Sequence, residues 1–347
     1  MLIVMQQDST AAQVDAVVQR IEQMGFKACP IPGNHRVAIG ITGNPGPLQP
    51  AEFENMAGVQ EAIPVTRPYK LVSREVKHEP TTVKVAGQEI GGESFTVIAG
   101  PCAVESEEQC LAIARLVKNA GAHMLRGGAF KPRTSPYSFQ GLGKEGLKIL
   151  SRAREETGLP VVTEALDERS LDLVARYADV IQIGARNMQN YSLLRQAGRI
   201  EMPVFLKRGM SATLGELLMA AEYIASEGNY SIILCERGVR TFGDHARNTM
   251  DLTVVPAVQE QSHLPIFVDP SHGTGRRDKV IPLARAGLAV GADGIMVEVH
   301  HDPPRALSDG PQALLPGDFA GMMQILGAMA PLLGRRLAPA PEDPTAS

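Results

Sequence analysis

The sequence predicts an α/β protein: a closed (β/α)8 TIM barrel preceded by a small ferredoxin-like (βαββαβ) domain. Two observations carry the barrel. Eight short, almost continuously apolar β-runs follow residue 94, and amphipathic helical segments lie between them. A third observation carries the small domain, where residues 1–66 read strand, helix, strand, strand, helix, strand. A doubly wound open sheet is the runner-up for the larger part.

The first element is the apolar run at 2–5. Asp8, Ser9 and Thr10 then offer a helix start, and Val14, Val17, Val18, Ile21 and Met24 keep helical spacing until Gly25. Strands are expected at 27–32 and 36–42, joined by a turn at Gly33 and Asn34. A short helix near 50–58 and a strand near 59–66 complete the order. Residues 67–80 are charged and proline-flanked and read as a linker, and TTVKVAGQEIGG (81–92) reads as a hairpin, so that 67–94 separates two domains. The barrel runs are expected at 95–100, 123–128, 160–165, 180–185, 203–208, 231–236, 265–270 and 294–299. Helices at 106–120, 144–157, 212–227 and 276–290 lie among them. Barrel residues 95–336 span about 240 positions, the ordinary size of this fold. The tail 337–347, rich in Pro and Ala, is expected to be disordered.

Composition narrows the function classes. The chain has 347 residues, 44% hydrophobic and 21% charged, which is ordinary for a globular protein. Its formal net charge of −4 argues against nucleic acid or an anionic membrane as the main partner. No apolar stretch approaches the length of a membrane span. The cysteines Cys29, Cys102, Cys110 and Cys235 lack framework spacing, which points to a reducing, cytoplasmic setting.

In a (β/α)8 barrel, chemistry sits at the C-terminal ends of the strands. The residues that close or follow the eight runs are Cys102, Arg126 with Lys131, Glu164, Arg186, Lys207, Arg237, Asp269 with His272, and Glu298. Any one alone reads as a solvated charge, and eight around one rim do not. Arg126, Lys131, Arg133, Arg186, Lys207 and Arg237 form a cationic group that calls for phosphate and carboxylate ligands. Taken singly, Arg133 is equally well a surface salt-bridge residue. Cys102, His272, Glu298 and Asp309 are the usual metal-binding types, in a mixed soft and hard set suited to a divalent Mn²⁺, Fe²⁺, Co²⁺ or Zn²⁺ ion. A lone Cys102 would be read as a buried thiol. The runs near Cys102, His272 and Glu298 are the first, seventh and eighth, which become neighbours on closure, and Asp309 follows the eighth. Residues 141–146, GLGKEG, fit a dinucleotide-binding pattern, but Pro132 and Pro136 exclude the strand that must precede it.

The loops carry a specific resemblance. AGPCAVES (99–106), LRGGAFKPRTSPYSFQGLG (125–143), VTEA (162–165), IQIGARNMQN (181–190), LKRG (206–209), LCERGVRTF (234–242), DPSHGTGRRD (269–278) and VEVHHDPPRALSDGP (297–311) cover nearly the whole barrel in order. The sequence resembles the 3-deoxy-D-arabino-heptulosonate 7-phosphate (DAHP) synthases, of the short microbial type with an N-terminal ferredoxin-like domain. The resemblance implies condensation of phosphoenolpyruvate with erythrose 4-phosphate, the first step of the shikimate pathway. It implies a divalent metal held by Cys102, His272, Glu298 and Asp309. Phosphoenolpyruvate would be bound by Arg126, Lys131, Ala185, Arg186, Lys207 and Arg237, and erythrose 4-phosphate by Pro132, Arg133, Thr134 and Asp269. Lys131, Glu164, Cys102 and His272 would be the catalytic residues, with Glu164 positioning the water.

The alternative is 3-deoxy-manno-octulosonate 8-phosphate synthase, which takes arabinose 5-phosphate. There a Lys-Ala-Asn-Arg-Ser-Ser type of stretch typically replaces the Lys131, Pro132, Arg133, Thr134 seen here. A catalytically silent metabolite-binding barrel is a third reading, disfavoured because no ligand or cation is missing. The resemblance also implies a homo-oligomer, with a tetramer favoured, and an aromatic amino-acid effector for residues 1–66. Subunit packing explains those residues equally well, because KACPIP (27–32) offers few partners to an amino acid.

Overall fold

The computed structural model describes residues 1–32, 36–44, 48–64 and 68–341. The small domain comprises β1 (Leu2–Met5), α1 (Ala11–Gln23), β2 (Lys27–Pro32), β3 (Val37–Thr42), α2 (Ala51–Glu54) and β4 (Val59–Ile63), with an antiparallel sheet in the order β2-β3-β1-β4. Thr10 caps α1 in a reciprocal pair with Gln13, and Gly25 at φ 81° lets the chain turn out of it. Alternation then sorts the sheet. Ile3 and Met5 join Val17, Ile21 and Phe53 beneath the helices, whereas Leu2 faces the rest of the protein. Helix α2 is shorter than the expected 50–58, and the turn at Gly33 and Asn34 lies outside the described residues.

The hairpin is β5 (Val83–Val85) with β6 (Gln88–Ile90). After it, β7 (Ser94–Gly100), α3 (Glu107–Asn119), β8 (Met124–Arg126), α4 (Lys144–Thr157), β9 (Val161–Ala165), α5 (Glu168–Tyr177), β10 (Val180–Ile183), α6 (Tyr191–Gly198) and β11 (Val204–Lys207) build half the barrel. The other half is α7 (Leu214–Ala225), β12 (Ile232–Glu236), α8 (Val254–Gln261), β13 (Ile266–Val268), α9 (Pro270–Thr274), α10 (Arg277–Ala289), β14 (Gly294–Glu298) and α11 (Pro316–Met329). Strands β7 to β14 are parallel in sequence order, and β14 pairs with β7 from Gly294↔Thr96 to Glu298↔Gly100, which closes the barrel and excludes the open sheet.

Ile98, Met124, Val162, Val180, Phe205, Ile233, Cys235, Phe267 and Met296 fill the interior, and the hairpin's Val83, Val85 and Ile90 join them as a plug at the N-terminal end. The linker is packed rather than free. Tyr69, Leu71, Val72 and Val76 are buried, and the Glu222 carboxylate on α7 accepts the backbone N–H groups of Lys70, Leu71 and Val72 at 2.9, 3.0 and 3.1 Å. The expected disordered tail begins too early. Residues of β15 (Arg336–Leu337) pair with Ser94 and Phe95 of β7, and Lys118 donates to the carbonyl of Pro341 at 2.6 Å. Backbone pairing decides this, not the Pro/Ala composition. Residues 342–347 lie outside the described part. No helix among the described residues is long and apolar enough to cross a membrane.

Candidate active site

Strand pleat places the polar residues. Successive side chains alternate faces, so the residue two beyond an interior apolar residue also points inward, one layer nearer the C-terminal mouth. Met124 leads to Arg126, Val162 to Glu164, Val180 to Gln182, Phe205 to Lys207, Cys235 to Arg237, Phe267 to Asp269 and Met296 to Glu298. The polar layer therefore lies directly on the apolar one. On β7 the corresponding position is Gly100, where a Cβ would fall 2.1 Å from the carbonyl oxygen of Arg126. That approach brings the next loop, with Cys102, against β8.

Cys102, His272, Glu298 and Asp309 each present a donor atom within 4.8 Å of the others. Asp269 caps α9 through the His272 N–H at 2.9 Å and meets His272 Nδ1 at 2.7 Å, which turns Nε2 to within 3.2 Å of Glu298 Oε1. Cys102 Sγ lies 3.4 Å from Asp309 Oδ2 and 3.2 Å from Ser308 Oγ. Gln312 holds the second Glu298 oxygen at 2.7 Å. One sulfur, one imidazole nitrogen and two carboxylates, with the imidazole and one carboxylate oriented from behind, fit a divalent transition ion. Burial pushes the Cys102 thiol up to about 12, so binding as thiolate needs the charge of such an ion. Burial opposes ionisation of Glu298, but His272 and Arg126 hold its pKa below the ordinary value.

Beside this set opens a cavity of about 490 Å³, whose lining includes Arg126, Lys131, Arg186, Lys207, Arg237 and His272. Arg126 pairs with Glu298 at 2.5 Å, and Lys131 donates to the Cys102 carbonyl at 2.9 Å. Arg126 Nε and Arg237 Nη1 are buried without a hydrogen-bond partner. Burial lowers the Arg237 pKa, the cost of holding a guanidinium without its anion. Two unmatched cationic donors in one cleft are what a phosphate or carboxylate satisfies. Pro132, Arg133, Thr134 and Ala185 also line the cavity. Glu164 reaches it because Gly184 leaves room: a Cβ there would fall 2.0 Å from Glu164 Oε1.

Asp269, expected near the sugar, stands apart from the other expected substrate residues. Asp269 is fully buried and outside the lining, with its carboxylate engaged by Lys207 and His272. Burial would raise its pKa, and the His272 and Lys207 charges instead hold it well below the usual range. Its carboxylate is turned to those two side chains, which it orients. Cys102 and Glu298 lie just below the lining, behind Lys131 and Arg126. Residues not anticipated from the sequence are Gln182, which donates to Glu164 at 3.0 Å, and Arg247, 3.3 Å from Asp309. Others are Ser308, Gln312, Arg240 and Asn248. The interior alternation would have found Gln182. Arg247 sits in a loop without periodicity and carried no signal. GLGKEG has no strand before it, since 131–143 is irregular and Gly143 caps α4.

Fold and site together define a (β/α)8-barrel enzyme with four residues that could hold a metal ion beside a cleft rich in cationic side chains. Residues 76–334 match the DAHP synthetase I family and residues 1–67 match the DAHP synthase ferredoxin-like domain; the chain belongs to the DAHP synthetase I family. It is 50% identical over 334 residues to phospho-2-dehydro-3-deoxyheptonate aldolase of Thermotoga maritima, covering 96% of this chain and 99% of that one. A crystal structure of the Thermotoga maritima DAHP synthase superposes with a TM-score of 0.78 at 49% identity, covering 97% of this chain and 98% of that chain. A 2-dehydro-3-deoxyphosphooctonate aldolase of Syntrophotalea carbinolica is 37% identical over 254 residues, covering 68% of this chain and 91% of the other.

Proposed function

We propose that the chain is a 3-deoxy-7-phosphoheptulonate synthase, joining phosphoenolpyruvate, D-erythrose 4-phosphate and water into DAHP and inorganic phosphate at the head of the shikimate pathway. The observation that carries this reading is the unmatched Arg126 and Arg237 donors in the same cleft as His272 and Asp309. Arg126, Arg186, Lys207, Arg237 and the backbone of Ala185 bind the phosphate and carboxylate of phosphoenolpyruvate. Pro132, Arg133 and Thr134 receive the phosphate of the aldose. Carbon 3 of phosphoenolpyruvate bonds to the aldehyde carbon, water adds at carbon 2, and phosphate then leaves. Lys131 gives a proton to the new hydroxyl, and Glu164 orients and deprotonates the water. A divalent ion of the Mn²⁺, Fe²⁺, Co²⁺ or Zn²⁺ class, held by Cys102, His272, Glu298 and Asp309, would supply Lewis acidity toward the aldehyde oxygen.

The identity of 50% over nearly the full chain, against 37% over 68% for the octulosonate relative, favours the heptulosonate reaction, as does the intact run from Lys131 to Thr134. The test is phosphate release from phosphoenolpyruvate with Mn²⁺ and with EDTA. Release that needs erythrose 4-phosphate and stops with EDTA supports the reading; release indifferent to EDTA overturns the metal assignment. A cytoplasmic homotetramer is part of the proposal. Between the small domain and the linker, a cavity of about 460 Å³ lined by Arg36, Glu61, Leu2 and Val4 on one side and Glu75 and His78 on the other supports an amino-acid effector. Saturable uptake of labelled tyrosine or phenylalanine tests it, and no uptake leaves residues 1–66 to subunit packing.

A further inference from the structure

Two members of the metal-binding set come from loops rather than strands. Cys102 follows β7, and Asp309 lies in the long segment after β14. Asp309 sits at φ 52°, a left-handed conformation that strains a non-glycine residue and persists where its surroundings enforce it. Something must hold that segment against β7.

We propose that Glu105 is a positioning residue that presets Asp309 beside Cys102; this deepens the metal-site reading above and rests on it. Glu105 follows Cys102 in the same loop and is nearly buried, with 11% of its side chain exposed. Its Oε1 accepts the backbone N–H of Leu307 at 2.8 Å, two residues before Asp309. Its Oε2 faces His300 Nε2 at 3.6 Å. The other ring nitrogen, His300 Nδ1, accepts the Asp302 N–H at 3.0 Å, so the ring proton of the neutral imidazole resides on Nε2 and points at Glu105. That Nε2 is buried and has no hydrogen-bond partner. The His300 ring also stacks on His301, with centroids 4.9 Å apart. Its backbone N–H donates to Leu314 at 3.0 Å. One carboxylate thus ties the loop of Cys102 to Leu307 by a hydrogen bond and faces His300 at the other end of the segment that delivers Asp309. None of its hydrogen-bond partners is a member of the metal-binding set, so its influence is exerted through geometry.

Co²⁺ titration of the chelator-treated full chain, followed by the thiolate-to-cobalt charge-transfer band, tests this. Glu105→Ala is expected to weaken Co²⁺ affinity by about 10- to 100-fold, the usual effect of losing a residue that orients metal ligands. Phosphoenolpyruvate affinity of the metal-free protein should not move. Glu105→Gln keeps an acceptor oxygen for Leu307 and retains most of the affinity. Glu107→Ala, at an exposed position paired with Arg152, changes nothing. Wild-type affinity in Glu105→Ala overturns the proposal, and so does an equal loss in Glu105→Gln, which would assign the effect to charge rather than placement. A wild-type chain that shows no band overturns the metal-site reading and the proposal with it.

Discussion

Lys131 places its ammonium 3.1 Å from Cys102 Sγ and 2.9 Å from the same residue's carbonyl oxygen, so the residue read as proton donor touches the residue read as metal ligand. Aldehyde activation and protonation of the new hydroxyl would then occur within one side chain's reach. Cys102→Ala should abolish metal-dependent turnover, because a methyl group offers the ion no donor. Phosphoenolpyruvate binding, proposed to rest on other residues, should survive. Equilibrium dialysis with Mn²⁺ and steady-state rates check this; a fully active Cys102→Ala removes the thiol from the metal set.

Glu164 is held by Gln182 and given space by Gly184, which suits its proposed role toward the reacting water. Glu164→Gln should lower kcat by about 10²- to 10⁴-fold, the usual range for a lost acid–base group. The dissociation constant for phosphoenolpyruvate should change little. Turnover at the wild-type rate would sink the role.

For Asp269, buried position against sugar contact is decided by Asp269→Asn. The substitution leaves the Lys207 ammonium buried without its counter-charge, which should cost about 3–5 kcal/mol in denaturant unfolding. Metal affinity should fall as His272 loses its orientation. A variant of normal stability with only a raised KM for erythrose 4-phosphate would restore the sugar contact.

His263 joins the linker to the barrel base, 2.7 Å from Thr81 Oγ1 and 2.8 Å from the Leu71 carbonyl. Burial lowers its pKa from 6.5 to about 4. The unfolded chain therefore binds the proton first, so this residue's contribution is complete above pH 6.5 and is lost as pH falls toward about 4. At about 1.4 kcal/mol per unit the whole effect is roughly 3 kcal/mol. Melting temperature against pH should slope less steeply in His263→Gln than in the wild type. Equal slopes would contradict the assignment.

The barrel was legible because strands buried on both faces must be short and continuously apolar, and because the residue closing each run stands at the mouth. The same logic, followed through the pleat, yields Gln182 two residues after Val180, which reading only the charged closers passes over. Asp269 shows the opposite limit. Its position at a strand end was plain, but whether its carboxylate meets a ligand or two neighbours depends on Lys207 and His272, and their distances are not written in spacing. Arg247 and Ser308 reach the site from irregular loops, where neither period 2 nor period 3.6 operates. Tail residues 337–341 look like loop in composition, but Leu337 pairs with Phe95, the Ala338 N–H donates to the Phe95 carbonyl, and Lys118 donates to the Pro341 carbonyl, contacts across the length of the chain.

The most direct test of the central claim is product identity. The chelator-stripped chain, reloaded with Mn²⁺, is given phosphoenolpyruvate with equal concentrations of erythrose 4-phosphate and arabinose 5-phosphate, and the products are resolved by mass spectrometry. The seven-carbon 3-deoxyheptulosonate 7-phosphate in large excess, formed mole for mole with inorganic phosphate, is the predicted result. An eight-carbon product in excess, or no product from either aldose, would contradict it.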